Sequence, residues 1–239
     1  MQMNYRSALL RTAVNVTVFI PLEIPRGTDM TRLPENKKYQ TVWLLHGGLG
    51  DANDFIKYSN VLRYAEENRI ALVIPSCTGL FYEEPYFQFV TEELPGLLRA
   101  MLPLSEKRED NFIAGLSHGG DCALRACLER PLQYRSCLVM SAAGTTHFHD
   151  GRENHLLFDV YGQARKSMEE REKLPQLIFA TGSGDRGFPS YVPVIDHLEE
   201  LGVPLERLYV ENDGHSWSFW DYTLQLAMEK LLPLRHQLV

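Results

Sequence analysis

The chain is poor in cysteine, in net positive charge and in long apolar runs. Its four cysteines, at positions 77, 122, 127 and 137 of 239 residues, include no C-x-x-C pair. That number and spacing exclude a disulfide framework and argue against a structural zinc site, leaving buried thiols of a reducing compartment as the expectation. No segment approaches about 18 consecutive apolar residues, so no membrane-spanning helix is expected. Residues 1–20 lack a basic stretch followed by an apolar core, the pattern of a secretory signal, and a cytoplasmic protein is anticipated. Basic residues number 24 against 31 acidic ones, a net charge of −7. Such a chain does not attract nucleic acid or an anionic membrane, and neither partner is expected. There is also no internal repeat and no Gly/Ser-rich linker.

What is present is an ordinary apolar content, 44%, in a chain long enough to bury a sizeable core. Short β-rich runs at 13–20, 41–45, 70–74, 111–114, 136–140, 177–180 and 205–210 alternate with helical patterns at 53–68, 92–101, 119–129, 192–201 and 218–232. Such alternation predicts βαβ units: an α/β fold with a mostly parallel twisted sheet and helices on both faces. Most of the runs are apolar throughout, as strands covered on both sides should be. Residues 145–173 are the least regular and read as an insertion or a small lid on a single domain spanning 1–239.

The most informative stretch is Ile113-Ala114-Gly115-Leu116-Ser117-His118-Gly119-Gly120. A predicted strand runs into G-x-S-x-G and out into a helix rich in small residues, the context of a nucleophile elbow. A serine lifted clear of the backbone there needs a strained turn, and glycines on either side let the chains pass closely. The alternative, a simple helix-capping serine, does not account for the flanking glycines. A serine hydroxyl also needs a general base, and the base an orienting acid. Asp185 follows the strand at 177–180 through Thr181-Gly182-Ser183-Gly184, and His215 follows the strand at 205–210 through Asn212-Asp213-Gly214. The order Ser, Asp, His is the one this motif requires. Seven other histidines compete with His215, but none of them lies in a glycine-flanked loop after the last strand. Asp213 and Asp221 compete with Asp185 and remain alternatives at this point.

Acyl transfer further needs donors for a tetrahedral oxyanion. The run His46-Gly47-Gly48-Leu49-Gly50 directly follows the strand at 41–45. Its Gly48 amide, with that of Leu49 as the neighbouring choice, pairs with the amide of His118 as the expected hole. Aromatic residues cluster at Phe81, Tyr82, Tyr86, Phe87 and Phe89, and again at Trp217, Phe219 and Trp220. Each is either the wall of an apolar pocket or core under the sheet edge. Leu49, Trp217 and Tyr82 are the substrate-contact candidates.

The stretches 43–55 (WLLHGGLGDANDF), 91–131 around GLSHGG, and 213–221 (DGHSWSFWD) resemble the esterase D group of α/β-hydrolases. The branch they are most similar to is that of bacterial tributyrin esterases, beside feruloyl and acetyl-xylan esterases and S-formylglutathione hydrolases. The resemblance implies an α/β-hydrolase fold without a large cap, a Ser117–Asp185–His215 triad, and oxyanion amides at Gly48 and His118. It implies a serine esterase of short-chain carboxylic esters, acylated sugars among them. The alternative is a thioesterase of the S-formylglutathione hydrolase type, or an acyltransferase with the same triad. No cofactor or metal is needed, the partner is a small-molecule ester, and homo-oligomerisation is compatible with the chain. His118 departs from the group, which commonly carries methionine after the nucleophile.

Overall fold

The computed structural model describes residues 1–21, 38–76, 83–142, 159–169 and 173–235. Eight strands form one sheet: β1 (Gln2–Arg6), β2 (Ala13–Phe19), β3 (Thr41–Leu45), β4 (Ala71–Ser76), β5 (Asn111–Leu116), β6 (Ser136–Met140), β7 (Gln176–Gly182) and β8 (Leu205–Val210). Their order is β1-β2-β4-β3-β5-β6-β7-β8. From β4 to β8 all neighbours are parallel, whereas β2, next to the edge strand β1, runs antiparallel to both β1 and β4. This is the α/β architecture that the strand–helix alternation predicts.

The pleat divides the core in two. Val42 and Leu44 face one layer and Trp43 and Leu45 the other, because successive side chains of a strand point to opposite faces. On one face lie α1 (Ala52–Tyr58), α2 (Val61–Glu67) and α8 (Trp217–Leu226), burying Phe55, Tyr64 and Leu224. On the other lie α3 (Glu84–Gln88), α4 (Leu94–Met101), α5 (His118–Glu129), α6 (Val160–Glu169) and α7 (Phe188–Glu200), burying Phe87, Leu98, Leu124, Val160 and Ile195. Both faces of the central strands are covered, so β3, β5 and β6 are buried at every position.

Several boundaries differ from the sequence pattern, each for a local reason. The helix expected over 53–68 breaks at Ser59, whose backbone is extended and whose hydroxyl donates to the Phe55 carbonyl. The following Asn60 amide donates to Asp221 of α8, so the break serves to dock α2 on α8. The helix expected over 92–101 begins earlier, at Glu84, and passes through a π-helical turn at Phe89–Glu93 before α4. A second π-helical turn, Ala227–Leu231, extends α8. Strand β1 escapes the pattern because its residues are half or fully exposed and mostly polar. Helix α6 lies inside the segment 145–173, and residues 145–158 and 170–172 fall outside the described set.

Candidate active site

Strand β5 ends at Leu116, and Ser117 turns the chain into α5 with φ 51° and ψ −124°. A non-glycine residue is held in that region only when its surroundings dictate it. Here they do so sterically. A methyl at Gly115 would strike the carbonyl group of Gly119, and one at Gly119 would strike the carbonyl oxygens of Leu45 and His46. The two motif glycines thus let β5, α5 and the loop after β3 share one crowded corner. The Ser117 amide donates to the Met140 carbonyl at 2.8 Å, fixing the turn to the end of β6. Being first in α5, the His118 amide precedes the i→i−4 ladder, as the first N–H groups of any helix do.

Asp185 and His215 arrive on neighbouring loops after β7 and β8. The loops run backbone against backbone: the Gly184 amide donates to the Asp213 carbonyl at 2.8 Å, and the Asn212 amide to the Ser183 hydroxyl at 3.0 Å. Gly214 has φ 134°, and a side chain there would collide with the backbone of Gly182. The Asp185 carboxylate is buried and divides its oxygens. Oδ1 accepts the Gly187 amide at 2.8 Å, while Oδ2 lies 3.0 Å from His215 Nδ1. The competing carboxylates are engaged elsewhere. Asp213 accepts the Gly214 amide and the Ser216 hydroxyl, which hold it below the usual carboxylate range, the hydroxyl first. Asp221 accepts Asn60 and the Tyr64 hydroxyl, tying α8 to α2.

The His215 loop is also held from behind. The buried Ser141 hydroxyl donates to the Gly214 carbonyl and accepts the Trp220 indole N–H at 2.9 Å. The Trp220 ring stands edge-on to the His215 imidazole, with centroids 5.1 Å apart. Ser141 carries no sequence signal beyond being a small polar residue just after the carboxyl end of β6, the strand beside β5.

The glycine loop after β3 packs against the Ser117 corner. A methyl on Gly47 would come within 3.3 Å of Ser117 Cβ, and one on Gly48 within 2.7 Å of His118 Nδ1. The His118 imidazole thus lies directly against Gly48, where any added methyl would have to displace the ring. Burial, and next the nearby His215, push the His118 pKa down, so the ring stays neutral near pH 7. Burial likewise lowers His46, which sits beside the Gly47 carbonyl at 2.7 Å.

Of the substrate-contact candidates, Leu49 is fully exposed at φ 63° on the tip of this loop. Trp217 is half-buried and packs on Phe55, Tyr58 and Trp220, at 5.5, 5.3 and 5.2 Å between centroids. Tyr82 and Phe81 lie outside the described residues. Tyr86, Phe87 and Phe89 are fully buried in the core, so of the two readings of that aromatic cluster the core reading holds for these three. Phe219 and Trp220 are buried as well. Cys122, Cys127 and Cys137 are buried thiols outside any disulfide. Among the described residues no cluster of three or more metal-ligating side chains occurs, and no helix is long and apolar enough to cross a membrane.

The chain is similar to known esterases and serine hydrolases. Residues 77–187 match the family model described as "Putative esterase". An acetyl esterase of Caldicellulosiruptor saccharolyticus is 25% identical over 259 aligned positions, covering 96% of each chain. Two solved structures from Staphylococcus aureus superpose over nearly the whole chain. The fluorophosphonate-binding serine hydrolase FphF, substrate bound, gives a TM-score of 0.84 at 24% identity, with 97% of each chain covered. The S-formylglutathione hydrolase FrmB gives 0.85 at 24%, covering 97% of this chain and 98% of that one. The fold is that of the α/β-hydrolases, and the class is a carboxylic-ester hydrolase. Within that class the chain resembles the esterases, as the motifs around residues 43–55, 91–131 and 213–221 anticipate.

Proposed function

We propose that the protein is a serine esterase of short-chain carboxylic esters, acylated sugars among them, working through Ser117, His215 and Asp185 within one domain. The observation that carries this reading is the 3.0 Å contact between Asp185 Oδ2 and His215 Nδ1, on the loops that follow β7 and β8. Ser117 stands on its elbow at the same end of the sheet, the carboxyl end where open α/β sheets bind ligands. His215 takes the proton of the Ser117 hydroxyl through its other ring nitrogen as the oxygen attacks the ester carbonyl. Asp185 fixes the tautomer and offsets the imidazolium charge. The amides of Gly48 and His118 receive the oxyanion, each such donor supplying roughly 10²–10³ in turnover. His215 returns the proton to the leaving alcohol, and water then cleaves the acyl-enzyme by the same steps in reverse. A neutral His118 suits this cycle, since a second cation beside the imidazolium would oppose its formation.

Leu49 and Trp217, with Tyr82, are the residues we assign to substrate contact, Leu49 because it stands exposed beside the oxyanion loop. The acetyl esterase likeness supports a small acyl group. Likeness to an S-formylglutathione hydrolase favours a second reading, a thioesterase or acyltransferase using the same triad. Hydrolysis of p-nitrophenyl acetate by the wild type, lost in Ser117→Ala, tests the assignment. Undiminished turnover in the variant sinks it. A panel of acyl lengths, sugar acetates and thioesters, ranked by kcat/KM, separates the two readings.

A further inference from the structure

We infer that Ser141 is a positioning residue for the catalytic base, a role that rests on His215 being that base. Residues 140 and 141, at the carboxyl end of β6, touch the backbone that carries each member of the triad. The Met140 carbonyl accepts the Ser117 amide at 2.8 Å. The Ser141 amide donates to the Ala180 carbonyl at 2.9 Å, on the strand that leads to Asp185. The Ser141 hydroxyl donates to the carbonyl of Gly214, the peptide directly before His215. Its lone pair accepts the Trp220 indole N–H at 2.9 Å, and that indole is the ring standing against the His215 imidazole.

The residue type is demanded by this pattern. One atom must donate and accept at once, which a hydroxyl does and a methyl does not. Thr would add a branch at φ 47°, where β-branched residues are outliers. Ser141 is 1% exposed and Trp220 7%, so water does not replace either partner readily. A serine held at positive φ in a buried spot is the kind of backbone constraint that collects at functional sites. Deleting the hydroxyl strips the Gly214 carbonyl and the indole N–H of the same partner together. The loop carrying His215 then relaxes against Asp185, and misplacement by about 1 Å costs roughly 10² in rate. The Ser141 side chain itself reaches neither substrate nor the reacting atoms. Its effect therefore belongs in kcat and in the reactivity of Ser117, and not in KM.

The test uses the full chain carrying Ser141→Ala, Ser141→Cys or Trp220→Phe, with Thr223→Val as a control for loss of a buried hydroxyl elsewhere on α8. We expect kcat on p-nitrophenyl acetate to fall about 10- to 100-fold in Ser141→Ala, with KM within two-fold of wild type. The rate of labelling by a fluorophosphonate should fall in parallel. Ser141→Cys, which keeps a weak donor of similar size, should recover part of the loss, and Thr223→Val should leave kcat unchanged. Trp220→Phe keeps the Ser141–Gly214 bond and should lose several-fold in kcat. A folded Ser141→Ala with kcat within two-fold of wild type, or with its loss confined to KM, overturns the inference. Should Ser141→Ala not fold, Trp220→Phe decides, and unchanged kcat and labelling there overturn it. Either result leaves the esterase reading intact, because that reading is tested separately, by the turnover of Ser117→Ala.

Discussion

The two halves of the site are held by different forces. On the Ser117 side, Gly115, Gly119, Gly47 and Gly48 let β5, α5 and the loop after β3 approach to van der Waals contact, so geometry is imposed by volume. On the His215 side, the loops after β7 and β8 are held by hydrogen bonds that Ser183, Asp213 and Asp185 accept and Ser141 donates, so side-chain donors and acceptors add to the geometry. In the first half an added methyl at Gly115 or Gly119 meets fixed backbone. The second is also tight, at Gly182, Gly184 and Gly214, but in addition depends on side-chain polar partners and fails when one is removed.

The largest expected effect falls where the halves meet. Asp185→Asn keeps the shape and the Gly187 contact but favours the wrong His215 tautomer, and the analogous change in Ser-His-Asp sites lowers kcat about 10⁴-fold. Steady-state kinetics near pH 7 measure it, and a loss under ten-fold would remove Asp185 from the role. Next comes Gly119→Ala. Its methyl meets two backbone carbonyls that no rotamer change can relieve, so destabilisation of about 3 kcal/mol or more is expected, seen as a lowered urea midpoint. An unchanged midpoint would refute steric control of the elbow. Gly48→Ala meets only the His118 ring, which can swing aside. Stability should change little while kcat falls about 10²-fold as the oxyanion amide is displaced. The double variant Gly48→Ala/His118→Ala should recover part of that loss.

The smallest effect is one of pH. Burial lowers the folded-state pKa of His46, so the unfolded chain takes up a proton below the ordinary histidine value that the folded chain refuses. The contribution of His46 is fully present above that value and declines as pH falls below it, until the lowered folded value is reached. One such group changes stability by at most about 1.4 kcal/mol per pH unit. Urea midpoints from pH 8 down to 5 should drop less steeply in His46→Asn than in wild type, and parallel curves would contradict the assignment.

The same contrast explains what was legible in the sequence. Volume constraints leave a local signature: glycines at fixed offsets from Ser117, and a glycine run after the strand at 41–45, announce the elbow and its loop without any structure. Asp185 and His215 were legible because each ends a strand-and-loop unit in the required order. Ser141 was not, since its partners lie 73 and 79 residues away and a serine after a strand is unremarkable by itself. The break at Ser59 was hidden for the same reason, as the neighbouring Asn60 amide is held by a carboxylate 161 residues on, at Asp221. Strand β1 was lost because an exposed edge hairpin carries no apolar run. The aromatic cluster near 86–89 admitted two readings because period alone does not distinguish a pocket wall from core.

Peptide mapping of the fluorophosphonate-treated protein tests the central claim most directly. The account predicts a single adduct on Ser117 in wild type, none in Ser117→Ala, and labelling slowed by orders of magnitude in His215→Ala. An adduct on another residue, or full-rate labelling of Ser117 without His215, would contradict it.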